Sequence, residues 1–274
     1  MSYSRPRTSY RGGGSGGLGI RLIIGLVLAV IAVISFLGSR QFNPVTGEDQ
    51  YISLTPQQEI ALGLQAVPEM MQEFGGEYRD PQLQQAVDDI GERLISGTSA
   101  VAATPWQFEF TVLNNPNIVN AFALPGGQMF LTTALINAVE TEDRIAGVMA
   151  HEIVHVLARH SAQQIAKSEL TNGLVGAVAV ASESAGAAQT AAMIGQMVNM
   201  SYGREDELQS DSLGVCLLIN AGYDPQAMIE VQQILARLSG SGGGPEWLST
   251  HPSSDNRIRE IQEAVTNAAQ FCPQ

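Results

Sequence analysis

His151-Glu152-Ile153-Val154-His155 sets two imidazoles four residues apart, with a carboxylate beside the first. On an α-helix, positions i and i+4 share a face, so both rings can reach one ion while the glutamate stands slightly aside. The neighbours narrow the fold further. Val148, Met149, Ala150, Ile153, Val154, Val156 and Leu157 make this stretch apolar nearly all round, the pattern of a helix buried inside a domain. Burying two imidazoles and a lone carboxylate costs several kcal/mol, and a divalent cation is the natural compensation. Two core histidines and a salt-bridged glutamate are the plainer alternative.

Thr141, followed by Glu142 and Asp143, reads as the N-cap of a helix running to about Lys167. Zinc at a catalytic site takes three protein ligands and a water, whose pKa falls to about 7. A nearby carboxylate then accepts the proton as a carbonyl is attacked, and Glu152 has that position. The third ligand must come from elsewhere. A histidine ten residues past His151 would complete one known arrangement, but that position is Ser161. His160 misses by one and should point away from the His155 face, as an ordinary polar residue toward the helix end. A second helix offers acids, because Arg204, Glu207 and Asp211 sit at i, i+3 and i+7. Glu207 is the candidate ligand, Asp211 a candidate acceptor orienting one histidine from behind, and Arg204 a candidate ion-pair partner. A solvated acidic face is the other reading, since Glu205 and Asp206 are charged too.

Charge divides the chain. Residues 1–40 carry five arginines and no acid, whereas the rest carries nine Lys/Arg against 27 Asp/Glu, giving +5 before residue 41 and −18 after it. The acidic body argues against nucleic acid as a partner, because phosphate binding needs a basic face. The basic tail suits an anionic membrane surface. Leu22 to Gly38 is uncharged and apolar between Arg21 and Arg40, about the minimum for a spanning helix with snorkelling arginines at its ends. A cleaved signal peptide is the rival, with a usually shorter apolar stretch and a small-x-small site that does not follow here. Arg5, Arg7, Arg11 and Arg21 lie before the span, so the positive-inside rule predicts a single-pass anchor in the cytoplasmic membrane, with the body on its outer side.

The organisation expected is therefore a disordered basic tail (1–19), a transmembrane anchor (20–38), a linker (39–54) broken by Asn43-Pro44 and Gly47, and one domain (55–274). Within the domain, helices are predicted over 55–73 and 81–96. Three strands should follow, at Phe108–Val112, Val119–Leu124 and Gln128–Leu131. Residues 173–200, rich in Ala and Gly but with Glu183, are too polar at the middle for a membrane span. They read as a helical hairpin packed on the domain, where it can touch the membrane. Arg204 to Ala221 is predicted helical, stopped by Gly222, and Asp224-Pro225 opens another helix to about Leu238. A Gly-rich loop at 239–245 leads to Trp247 and His251, and a last helix starts near Ser254. Outside the cytoplasm Cys216 and Cys272 can pair as a disulfide; two separate thiols are the other reading, and spacing does not choose.

Four blocks together resemble the HtpX-like and type-one CAAX prenyl protease family of gluzincin zinc peptidases, over roughly residues 55–270. They are Asn120-Ala-Phe-Ala-Leu-Pro-Gly-Gly127; His151 to His155 with Arg159-His160-Ser161; Tyr202-Gly203-Arg204 with Glu207 and Asp211; and Thr250-His251-Pro252 with Arg257-Ile258. The likeness is to single-anchor, envelope-facing members, without the tetratricopeptide-type region or multi-span core of others. It implies an α+β fold, a mainly helical zincin-type metallopeptidase domain with a small β-sheet beside the HExxH helix, plus one N-terminal transmembrane helix. It implies one zinc per chain on His151, His155 and Glu207, with Glu152 catalytic. His251, by the same likeness, either stabilises the tetrahedral intermediate or caps the metal; a loop histidine packed by Pro252 is the ordinary reading. The strand Asn120, Ala121, Phe122, Ala123 is either a substrate-binding edge or an interior strand. Unfolded or misassembled envelope polypeptides are the substrates the resemblance implies, with a tethered chaperone of latent proteolysis as the alternative.

Overall fold

The computed structural model describes residues 16–98, 101, 103–182, 201–239, 244–252 and 256–272. Most of the tail, the far half of the expected hairpin (183–200), the centre of the Gly-rich loop and the expected start of the last helix at Ser254 lie outside the described residues.

Helix α1 (Gly16–Gly38) begins inside the expected tail and contains a stretch, Gly19–Gly38, of mean hydropathy 2.8 that is only 6% buried. By length and composition it can cross a membrane. The segment after it is not a linker. Strands β1 (Arg40–Asn43) and β2 (Glu48–Tyr51) pair antiparallel, Arg40 opposite Tyr51 and Asn43 opposite Glu48. The breakers read at Asn43-Pro44 and Gly47 form the turn of this hairpin, where Gly47 N donates to Asn43 O at 2.9 Å.

Thr55 and Gln58 close a capping box on α2 (Pro56–Glu73), and Asp80 caps α3 (Pro81–Ser96), which turns Val87, Ile90 and Leu94 into the core. Strands β3 (Glu109–Leu113), β4 (Ala121–Ala123) and β5 (Gln128–Thr132) form a sheet in the order β3-β5-β4. β3 runs parallel to β5 and β4 antiparallel to it, which leaves β4 on an edge. A short α4 (Thr133–Val139) leads to α5 (Glu142–Leu157), the HExxH helix.

α5 stops ten residues earlier than its pattern suggested. Arg159 takes a positive φ of 57°, and a separate helix α6 (His160–Ser182) departs from there. That helix runs straight through residue 173, where a hairpin was expected to begin, and lies alongside α1. Helix α7 (Arg204–Ala221) crosses α5 and ends at Gly222, whose φ of 74° gives the left-handed cap expected there. After α8 (Gln226–Ser239) and one turn, α9 (Trp247–Thr250), the last helix α10 (Arg257–Phe271) packs on α7. Cys216 and Cys272 are joined as a disulfide, Cα atoms 5.3 Å apart, tying α7 to the end of α10.

Candidate metal centre

Every residue of α5 from Ile145 to Leu157 is buried, so His151, Glu152 and His155 sit in the middle of the core. α7 brings Glu207 and Asp211 against them, and the turn after α9 brings His251, all three at most 1% exposed. Nε2 of His151 and Nε2 of His155 are 3.0 Å apart, and His251 Nδ1 is 3.3 Å from the former. Glu207 oxygens lie 3.5 Å from each of the two helix imidazoles and 3.0 Å from His251 Nδ1. One donor atom from each of these four side chains falls within 4.8 Å of the others.

These donors fit zinc. Two atoms each about 2.0–2.1 Å from one ion, at a tetrahedral angle, stand about 3.3–3.4 Å from each other. The hydrogen bonds behind the rings set the protons. His151 Nδ1 faces Asp211 Oδ1 at 2.9 Å, so that nitrogen donates and Nε2 keeps its lone pair. His160 Nε2 faces Gln209 Oε1 at 2.9 Å and must donate there, leaving His160 Nδ1 to accept from His155 Nδ1 at 2.9 Å. Both Nε2 lone pairs then converge with a carboxylate, an arrangement that repels itself unless a cation lies between.

Charge explains the difference between the rings. Burial lowers the His151 pKa, but hydrogen bonds and charge from Asp211 and Glu207 outweigh it and bring the group up to about 9, so that without a metal a proton takes the place of the cation on Nε2. Burial also lowers His155; Glu207 opposes this while His151 and His160 reinforce it, leaving His155 well below the usual histidine range. Asp211 is held down against its own burial by Arg257, which donates from Nε and Nη2 at 2.7 Å each. Arg257 Nη1 also stands 2.7 Å from Glu207 Oε2, an ion pair whose angle does not make a hydrogen bond. Glu207 is likewise pushed down despite burial, first by His251 and then by the other two imidazoles.

Two expectations need correcting. Arg204 is exposed and, among the described residues, pairs with neither Glu207 nor Asp211; the guanidinium there is Arg257, 1% exposed. His160 does not point away. Because the chain reverses sense at Arg159, its ring returns beneath His155 and is buried to 1%. A left-handed backbone at a non-glycine costs about 1–2 kcal/mol. The Arg159 side chain offsets that by donating to Glu59, to Leu54 O at 2.9 Å and to Gln41 Oε1 at 3.0 Å.

Glu152 accepts from Trp247 Nε1 at 2.9 Å and lies 3.4 Å from His251 Nε2. It forms, with His251, the polar floor of a cleft whose apolar wall is Met70, Phe74, Phe122 and Leu124. Asn120 and Ala123 border the same cleft, which thus runs along the edge strand β4. Tyr202 stacks on His155 with centroids 3.9 Å apart, and Trp247 stacks on His251 at 4.6 Å. No site role was assigned from sequence to Trp247, Tyr202, Arg257 or Gln209. The only hint lay in the blocks holding Tyr202 and Arg257, and local spacing carries no information on contacts so far apart in the chain.

A buried HExxH helix, an acid from a crossing helix and an acidic base in an open cleft define a zinc metallopeptidase domain. The chain belongs to Peptidase family M48, whose model matches residues 81–265. It is 37% identical over 193 residues to the beta-barrel assembly-enhancing protease of Escherichia coli (strain K12), covering 67% of this chain and 39% of that protein. It is 32% identical over 251 residues to the protein of that name from Yersinia pestis, covering 88% of this chain and 51% of the other. To the mitochondrial metalloendopeptidase OMA1 of Saccharomyces cerevisiae it is 28% identical over 244 residues, 87% of this chain and 65% of that one. The chain thus spans about half or less of the length of these bacterial relatives.

Proposed function

We propose that this chain is a membrane-anchored zinc endopeptidase that hydrolyses unfolded or misassembled envelope proteins. α1 holds it in the cytoplasmic membrane with the domain on the outer face, in keeping with the arginines before the span. His151, His155 and Glu207 would hold the zinc, which when bound would supply Lewis-acid activation of a water and of the scissile carbonyl. Glu152 takes the proton released on attack and delivers it to the leaving amine, while the Trp247 indole N–H keeps its carboxylate in place. Asp211 orients His151, and Arg257 orients Asp211. An extended substrate adds as a strand to Asn120–Ala123, and Asn120 Oδ1, buried with no partner among the described residues, is an acceptor on that side. The names of the bacterial relatives, which refer to β-barrel assembly, support envelope clients.

The observation that carries this reading is one cleft lined by Glu152, by His251 of the donor cluster and by the edge strand. Glu152→Gln should keep its zinc by metal analysis and lose about 10²–10⁴-fold in casein hydrolysis. Undiminished cleavage by the pure variant would overturn it.

One observation favours a second reading, a tethered chaperone or assembly factor with latent proteolysis. His251 Nδ1 stands among the ligand atoms, where a fourth ligand closes the site to substrate. In that case His251→Ala hydrolyses casein faster than wild type, and Glu152→Gln leaves the cellular phenotype intact. If His251 serves the transition state instead, His251→Ala is slower.

A further inference from the structure

α6 is used by the site only at its first turn, through His160, yet it continues to Ser182. Its course follows α1. Ala166, Glu169 and Leu170 border a crevice with Ala32, Ser35, Phe36 and Ser39, so the two helices are antiparallel and α6 starts down α1 from its C-terminal end. Further along, Gly173 meets α1 so closely that an added Cβ would come within 2.8 Å of Ala32 Cβ. Ala166, Leu170, Gly173 and Ala177 fall at i, i+4, i+7 and i+11, one face of the helix, with Ala166 and Ala177 buried at 3% and 4%. On α1 the covered positions are Gly25, Ala29, Ala32 and Phe36, again a single face. This is a seam of small residues, Gly25-x-x-x-Ala29 against Gly173-x-x-x-Ala177, of the kind that lets helix backbones approach in lipid.

The other side of α6 is apolar and open. Leu174, Val175 and Val180 are 37%, 61% and 40% exposed, and no charged residue occurs from Leu170 to Ser182. From Leu170 to Ser182 the helix rises about 18 Å, over half of a hydrocarbon slab about 30 Å thick. At that depth its open face continues the open face of α1, where Leu26 is 67% and Ile31 56% exposed. Between its ends a helix satisfies its own backbone, and Thr171 returns its hydroxyl to Lys167 O, so the apolar run Gly173–Ala181 needs no water.

We propose that residues 170–182 of α6 are embedded in the bilayer beside α1, the partner of their open face being the acyl chains. This rests on α1 being a membrane span. It seats the metal centre at the membrane surface, because α6 leaves from the residue that touches His155.

Single cysteines at Leu26, Lys167, Val175 and Val180 of the full chain, nitroxide-labelled and reconstituted in phosphatidylethanolamine/phosphatidylglycerol vesicles, test this. The native cysteines are bonded to each other and add no background. Lys167, exposed before the apolar stretch, should collide with a water-soluble nickel chelate. Leu26, Val175 and Val180 should lose that collision and gain collision with oxygen. Chelate access at Val175 and Val180 with Leu26 protected overturns the proposal and leaves the anchor standing. Exclusion of both reagents at Val175 and Val180 means a protein cover and overturns it too. Chelate access at Leu26 overturns the anchor, and this proposal with it. Retained zinc content in each variant shows that the labelled chains are folded.

Discussion

His151 and His155 stand one helical turn apart and aim at the same point, but different kinds of group lie behind them. Behind His151 is charge: Asp211, held in turn by the Arg257 guanidinium. Behind His155 the bonded partners are neutral, His160 and then Gln209. Carboxylates come only further out: Asp206, 4.0 Å from His160 Nε2, and the exposed Glu48, which accepts from Gln209 at 2.9 Å. The effect on the rings follows, His151 up to about 9 and His155 well down. The asymmetry also balances the pocket. With His151 and His155 neutral as metal ligands, Glu152, Glu207 and Asp211 against Arg257 leave two negative charges, which one divalent cation would offset. A fully buried carboxylate bonded there in place of Gln209 would leave a charge over, and buried charge without a partner is costly, whereas Asp206 keeps some contact with solvent.

The widest gap between the two sides should appear in stability. Arg257→Met strands two buried carboxylates and should cost about 3–5 kcal/mol by urea unfolding. Gln209→Met, at the matching place behind His155, leaves one neutral imidazole nitrogen unpaired and should cost about 1–3 kcal/mol. Equal losses would erase the distinction drawn here.

Metal affinity should sharpen it. Asp211→Asn should weaken zinc about 10- to 100-fold in a chelator competition, and His160→Gln should fall at the lower end of that range, since a neutral acceptor adds less basicity to its ring. The sign in pH is also fixed. His151 is raised in the folded protein, so its contribution to stability is whole below about 6.5, its unfolded value, and is lost as pH rises through about 9. Chelator-stripped protein should therefore lose urea resistance between those values. Asp211→Asn should flatten the slope.

How much of this could be read from residues alone depended on distance along the chain. The buried HExxH helix and the Glu207–Asp211 face were legible because each is set by spacing within one helix, and the resemblance joined them. His160 was misplaced because the pattern continues unbroken from Val148 to Lys167, while the break is made by Arg159 reaching Glu59 and Leu54, about a hundred residues earlier. Arg257 was invisible as the partner of Asp211, since 46 residues separate them and Arg204 offered a nearer cation. The hairpin was missed for another reason. Arg40–Asn43 and Glu48–Tyr51 are short and polar, so the turn signal between them read as a linker.

That hairpin gives the smallest effect and the finest test of the comparison, because it supports the His155 side with buried amides, the charged group it adds there being the exposed Glu48 on Gln209. Asn43 Nδ2 donates to Leu157 O at 2.8 Å and Gln50 Nε2 to Ala158 O at 2.9 Å, while Asn43 also donates to Gln50 at 3.1 Å. These are carbonyls of the end of α5, which the helix itself cannot satisfy. Both amides are buried, so no water takes their place easily. Asn43→Ala removes the bonds to Leu157 O and Gln50 and the acceptor of Val45 N, and should cost about 1–2 kcal/mol in urea unfolding, all of these groups being neutral. Asn43→Ala and Gln50→Ala share a contact, so the double variant should cost less than the sum of the two. A loss as large as that of Arg257→Met would mean that the turn after His155, and not the ion pair behind His151, holds the centre together.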